Sequence, residues 1–167
     1  AMLANTTGNA NIGIGVNTLY QNTTGSHNTA VGSGEGGVTV GALGANTTGS
    51  YNTAIGRLAL QANTTASENT AVGYQAGYSN TTGAYNQFFG VYAGYSNTTG
   101  LRNTALGYSA NFANSTGGYN TVVGMQALNN NTASNNTAVG YQAGYSNTTG
   151  TITSAGYLAG YSNTTGT

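Results

Sequence analysis

The segment Glu68-Asn69-Thr70-Ala71-Val72-Gly73-Tyr74-Gln75-Ala76-Gly77-Tyr78-Ser79-Asn80-Thr81-Thr82-Gly83-Ala84 is one copy of a 17-residue unit that recurs, with small variations, from one end of the chain to the other. The glycine closing its Asn-Thr-x-x-Gly portion falls at Gly15, Gly32, Gly56, Gly73, Gly90, Gly107, Gly124, Gly140 and Gly156, at spacings of 17, 24, 17, 17, 17, 17, 16 and 16. Self-similarity at a short fixed period marks an array in which each unit buries its apolar groups only against its neighbours. A rod is expected, and one repeat array over 1–167, with units near 10–26, 27–50, 51–67, 68–84, 85–101, 102–118, 119–134, 135–151 and 152–167.

The composition agrees with a neutral, ordered array. The charged residues are Arg57, Arg102, Glu35 and Glu68, the one histidine is His27, and Lys, Asp, Cys, Pro and Trp are absent. Leu, Ile, Val and Phe make up about 15% of the chain, a level that accompanies disorder when net charge is high. Here net charge is zero and the pattern is periodic. A neutral surface offers no electrostatic footprint for nucleic acid or anionic lipid. No apolar run approaches the roughly 20 residues that span a bilayer, so no membrane insertion is expected of this segment. Residues 1–8 lack the charged and apolar regions of a signal peptide. The array starts inside one Asn-Thr-Thr-Gly and stops just after another, with no polar capping unit, so a piece of something longer or an end-to-end subunit is expected.

Glycine or an Asn-Thr-Thr-Gly cluster appears every few residues, which excludes helices of ordinary length and favours short strands between turns. Two strands per unit are expected, Asn69 to Gly73 and Tyr74 to Tyr78, with Ser-Asn-Thr-Thr-Gly returning the chain to the next coil. The fold class is therefore all-β, a parallel β-solenoid of about nine coils stacked about 4.8 Å apart. The first strand is apolar at adjacent positions (Ala71/Val72, Phe88/Phe89, Ala105/Leu106, Val122/Val123, Ala138/Val139), and adjacent strand residues point to opposite faces. One face needs a second cover. A further copy of the chain, giving an oligomer around or along the rod axis, or the chain's own loops would supply it.

Ala59, Ala76, Ala93, Ala110, Ala127, Ala143 and Ala159 hold one position, a tight inward site. Tyr74, Tyr78, Tyr95, Tyr108, Tyr141, Tyr145, Tyr157 and Tyr161 flank it, either as a structural ladder that keeps its hydroxyls wet or as a sugar-binding face. Seven extra residues around Ser33-Gly34-Glu35-Gly36-Gly37 break the period, a loop bulging from the rod that is either a tolerated insertion or a binding loop.

The string Thr-Gly-x-x-Asn-Thr-Ala-Val/Ile-Gly-x-x-Ala, at Thr48 to Ala59 and in variant form at Thr132 to Ala143, resembles the head repeats of trimeric autotransporter adhesins. It is also similar to repeats of bacteriophage tail fibres and of bacterial surface fibres. The resemblance implies a left-handed parallel β-roll, three chains per rod, with Val or Ile and Ala packing within. This chain departs from that pattern in the added Asn-Thr-Thr turn of its longer unit.

One histidine and two separated carboxylates make no triad, carboxylate pair or metal shell, so neither an enzyme nor a cofactor is expected. Asn-x-Ser/Thr sequons recur in register at Asn5, Asn22, Asn46, Asn63, Asn80, Asn97, Asn114, Asn147 and Asn163, and out of register at Asn130 and Asn135. Placed in exposed turns, the register set are candidate glycan attachment sites; equally, Asn and Thr side chains bond local backbone and stack as ladders. Together these observations point to a non-enzymatic fibre or adhesin shaft outside the cell, nearly free of tryptic sites, with itself and glycans, covalent or bound, as partners. The alternatives are a phage tail-fibre shaft on a virion and an ice-binding solenoid. The last is disfavoured because the Thr pairs sit in turns and not in a strand-borne array.

Overall fold

The computed structural model describes residues 2–34 and 40–166. It is all-β: nine three-residue strands, β1 (Ile12–Ile14), β2 (Thr29–Val31), β3 (Thr53–Ile55), β4 (Thr70–Val72), β5 (Gln87–Phe89), β6 (Thr104–Leu106), β7 (Thr121–Val123), β8 (Thr137–Val139) and β9 (Thr153–Ala155), form one parallel sheet in sequence order. Equivalent residues pair rung on rung, Ala54 with Ala71 with Phe88 with Ala105. Each coil thus returns the chain to the same place one rung higher, and the molecule is a β-solenoid.

The second expected strand, Tyr74 to Tyr78, is instead a series of turns. Gln75 (φ 54°) and Gly77 (φ 60°) are both left-handed, which extended backbone excludes. A third left-handed corner precedes the strand, at His27, Tyr51, Glu68, Tyr85, Arg102, Tyr119 and Asn135 (φ 55° to 63°). Left-handed residues other than glycine cost about 1 kcal/mol or more each, and here each corner is repeated and tied to its copies by the inter-coil hydrogen bonds that surround it. The glycine after each strand is a stricter case: Gly73 has φ 141°, and a Cβ there would strike the carbonyl of Gly90 in the next coil.

In β2 to β8 the middle residue points inward and is fully buried (Ala30, Ala54, Ala71, Phe88, Ala105, Val122, Ala138). The Thr and Val-type residues either side of it face outward, Leu106 being 48% exposed and Val139 43%. Within a single chain, then, the middle residue of the strand packs inside, Ala in most coils but Phe88 and Val122 as well, and the Val-type residue after it does not. The outward threonines, Thr29, Thr53, Thr70, Thr104, Thr121, Thr137 and Thr153, form a strand-borne rank interrupted only by Gln87. This corrects the expectation that threonine is confined to the turns.

The alanines after the glycine corner, Ala59 to Ala143, are fully buried as expected. The next inward position holds Leu43, Leu60, Leu128 and Asn111, and glycine where a large side chain fills the space, Phe88 beside Gly77 and Gly94 and Ile152 beside Gly144. Phe88 is the clearest case: a Cβ on Gly77 would lie 2.7 Å from its ring, and one on Gly94 would strike the ring on its other side. Adjacent coils therefore exchange volume, keeping a narrow interior filled. The period-breaking insertion leaves the rod after Gly34, whose N–H donates to Val16 O, and rejoins at Gly41, whose N–H donates to Asn17 O. Glu35 to Thr39, the heart of that insertion, lie outside the described residues.

Candidate functional site

Two columns of buried asparagine run the length of the interior. The Asn-Thr-Thr turns contribute the first, whose side chains the sequence placed on the surface for glycan attachment. The structure corrects this: Asn22, Asn46, Asn63, Asn80, Asn97, Asn114 and Asn147 are all fully buried. Asn80 Nδ2 donates to Asn63 Oδ1 (2.9 Å) and across its own turn to Gly83 O (2.9 Å), and Asn97 Nδ2 donates to Asn80 Oδ1 (2.7 Å). A turn must end its polar backbone groups somewhere, and these amides close the turn from inside while linking it to the next. A glycan on Asn80 Nδ2 would replace one of its two hydrogens and so break one of these bonds. Asn5 is exposed and Asn163 half-buried, as members of the first and last described rungs. The out-of-register Asn130 and Asn135 are both exposed.

The second column precedes the strands. Each Oδ1 accepts the backbone N–H of the next asparagine, from Asn28 N on Asn11 through Asn52, Asn69, Asn86, Asn103, Asn120 and Asn136, at 2.9 to 3.0 Å. From Asn11 to Asn120 the Nδ2 reaches the turn of the next coil, as Asn69 Nδ2 to Gly83 O (2.9 Å). Thr hydroxyls on the turns repeat the device, Thr81 Oγ1 donating to Thr98 O at 3.0 Å. The expected ladders of Asn and Thr are present.

The tyrosines form two outer columns. Tyr78, Tyr95 and Phe112 stack at 5.2 and 5.1 Å with planes within 6°, and Tyr145 stacks on Tyr161 at 5.1 Å. Tyr141 stacks on Tyr157 in the other column. Stacking at the rung spacing is what rings on successive coils must do. Tyr92 stands across this order, edge-on to Tyr74, Tyr95, Tyr108 and Phe112 at 5.4 to 6.3 Å. Desolvation first, then neighbouring Tyr74, Tyr108 and Tyr95, hold its phenol above the ordinary value, so the ring stays neutral throughout the physiological range. Beside it, Tyr92, Tyr95, Tyr108 and Phe112 with Gln75, Ser109, Gln126 and Asn129 line a groove of about 460 Å³.

The two arginines also lie over tyrosine rings. Arg102 lies 5.3 Å from the Tyr85 centroid and 5.5 Å from that of Tyr119, to whose hydroxyl it donates at 2.7 Å. Arg57 lies over Tyr74 at 5.7 Å. His27 stacks on Tyr51 at 4.9 Å. Among the described residues no three His, Cys, Asp or Glu side chains gather, and no helix is long and apolar enough to cross a membrane. Sequence reading missed the groove; its signal is the single rung where Asn129 stands at the position of Tyr78, Tyr95 and Tyr145. In comparisons with family models, with curated proteins and with solved structures, none matches this chain.

Proposed function

We propose that this chain is a non-enzymatic structural segment, the shaft of an extracellular fibre or adhesin. The observation that carries the reading is the unbroken strand-side asparagine column, Asn11 to Asn136, in which each coil's polar groups are completed only by the next coil. A structure whose every unit is finished by its neighbour extends by repetition and gains stiffness with length. The outward rank Ile14, Val31, Ile55, Val72, Phe89, Leu106, Val123 and Val139 supports lateral association of copies, three to a rod, with this apolar stripe turned toward the common axis. Any N-linked coat is carried by the exposed Asn5, Asn130 and Asn135, not by the buried column.

Cryo-electron microscopy of the native full-length assembly tests this reading. Three-chain rods projecting from a cell surface are the expected result, and the same rods on virions would place the chain in a tail fibre instead. A compact monomer with no tendency to assemble overturns the shaft. The strand-borne threonine rank favours one second reading, an ice-binding face in which hydroxyls and methyls at regular spacing order water. Absence of thermal hysteresis in a freezing-point assay ends it.

A further inference from the structure

We propose that the groove beside Tyr92 binds a neutral pyranose, a sugar unit of a glycan. The site arises from two departures from the repeat on adjoining rungs. In the stacked column Tyr78, Tyr95 and Phe112 are followed by Asn129, so the stack stops and one face of Phe112 has no ring over it. In the neighbouring column the sequence Gln75, Tyr92, Ser109, Gln126 places the smallest side chain directly after the largest. The two vacated volumes join into the hollow of about 460 Å³, within the size range of small-ligand sites. The interior is irregular at this level too. The turn-side asparagine column breaks at Asn114, whose amide closes only its own turn (Asn114 Nδ2 to Gly117 O, 2.7 Å, and Gly117 N to Asn114 Oδ1, 3.0 Å).

The lining selects the ligand class. Tyr92, Tyr108 and Phe112 offer ring surface to the C–H face of a pyranose. The amides offer complementary donors and acceptors to its hydroxyls. Gln126 Oε1 accepts from Gln142 (2.8 Å) and Asn129 Nδ2 donates to Ser109 O (3.1 Å). That leaves Gln126 Nε2, Asn129 Oδ1 and the whole Gln75 amide without a protein partner among the described residues. A purely apolar ligand would desolvate these amides unpaired, which costs free energy, while a hydroxyl-rich one pairs them. No charged side chain lines the groove, which disfavours phosphorylated or sialylated ligands relative to neutral sugars. The proposal stands apart from the shaft reading, since it requires only one folded chain.

Saturation-transfer NMR and tyrosine fluorescence on the intact chain, with glucose, galactose, N-acetylglucosamine and their β-linked disaccharides as probes, test it. Millimolar binding by at least one probe is expected for a ligand of about a dozen non-hydrogen atoms in an open groove. Asn129→Tyr restores the residue that other units carry, continues the ring stack and closes the hollow; it should fold as well as the parent and bind at least about tenfold more weakly. Gln126→Ala, which removes a donor and no core volume, should also weaken binding and decides the matter if the first variant does not melt cooperatively. Absence of binding by every probe, or affinity unchanged in the variants, overturns the proposal.

Discussion

The amide of Asn80 donates to Asn63 Oδ1 and Gly83 O and accepts from Asn97, all in a fully buried setting. Asn111 is as deeply buried, yet neither its Nδ2 nor its Oδ1 finds a partner. The same side chain is thus stabilising at one position and costly at the other, because a buried polar group is worth little when paired and expensive when orphaned. Asn80→Ala leaves Asn63 Oδ1 without its donor and should lower unfolding free energy by about 1–3 kcal/mol, read from chemical denaturation. Asn111 sits where Leu60 and Leu128 sit in other coils, at a similar left-handed φ of 54° against 48° and 45°. Asn111→Leu therefore keeps the backbone and removes two orphaned groups, and should raise stability by about 1–2 kcal/mol. A fall in melting temperature would mean instead that Val122, which packs at this level, leaves no room for the larger side chain.

At the scale of the element, Thr70-Ala71-Val72 is legible as a strand because a buried alanine between two outward residues is the period-2 pattern. Tyr74 to Tyr78 has a similar alternation, yet Gln75 is left-handed, and glutamine carries no sequence signal for that conformation. The corner is imposed by the stack: once Gly73 and its copies turn sharply, the following residues must close a coil of fixed perimeter. The burial of the turn asparagines was equally hidden. Asn-Thr-Thr-Gly reads as an exposed turn, and only the coil geometry reveals that the asparagine closes it from within while Thr65, Thr82 and Thr99 face water. What the strand leaves outside is an apolar rank with nothing over it in one chain. Leu106→Lys, at a side chain 48% exposed, should leave the single-chain melt nearly unchanged, since surface substitutions of this kind fall within about 0.5 kcal/mol. Its effect should be on association: light scattering should give a lower mass than for the parent if the rank is an interface between copies, and the same mass if it is not.

At the scale of the whole molecule, a solenoid is nearly additive in its units, with each coil contributing its own stability and two interfaces. The volume exchange around Phe88 shows that these interfaces are not interchangeable, and excision of whole units separates the two ideas. Deleting 51–67 joins Ser50 to Glu68 in register, sets Asn46 beneath Asn80 and Asn28 beneath Asn69, and brings Leu43 to the place of Leu60 below Gly77. Phe88 keeps both of its glycines. Such a chain should melt cooperatively and form a rod shorter by one rung, about 4.8 Å. Deleting 68–84 is the same length of cut and leaves both asparagine columns equally intact, with Asn63 meeting Asn97. It removes Gly77, however, and places Leu60 directly below Phe88, in the space the ring occupies. Overpacking of this kind costs about 1–3 kcal/mol, so the second deletion should unfold at lower temperature than the first. Gly77→Leu in the full-length chain should reproduce the deficit, and Phe88→Ala in the second deletion should relieve it. Equal melting of the two deletions would show that the hydrogen-bonded columns alone set the order of the coils, and that the apolar interior adapts to whatever neighbour it is given.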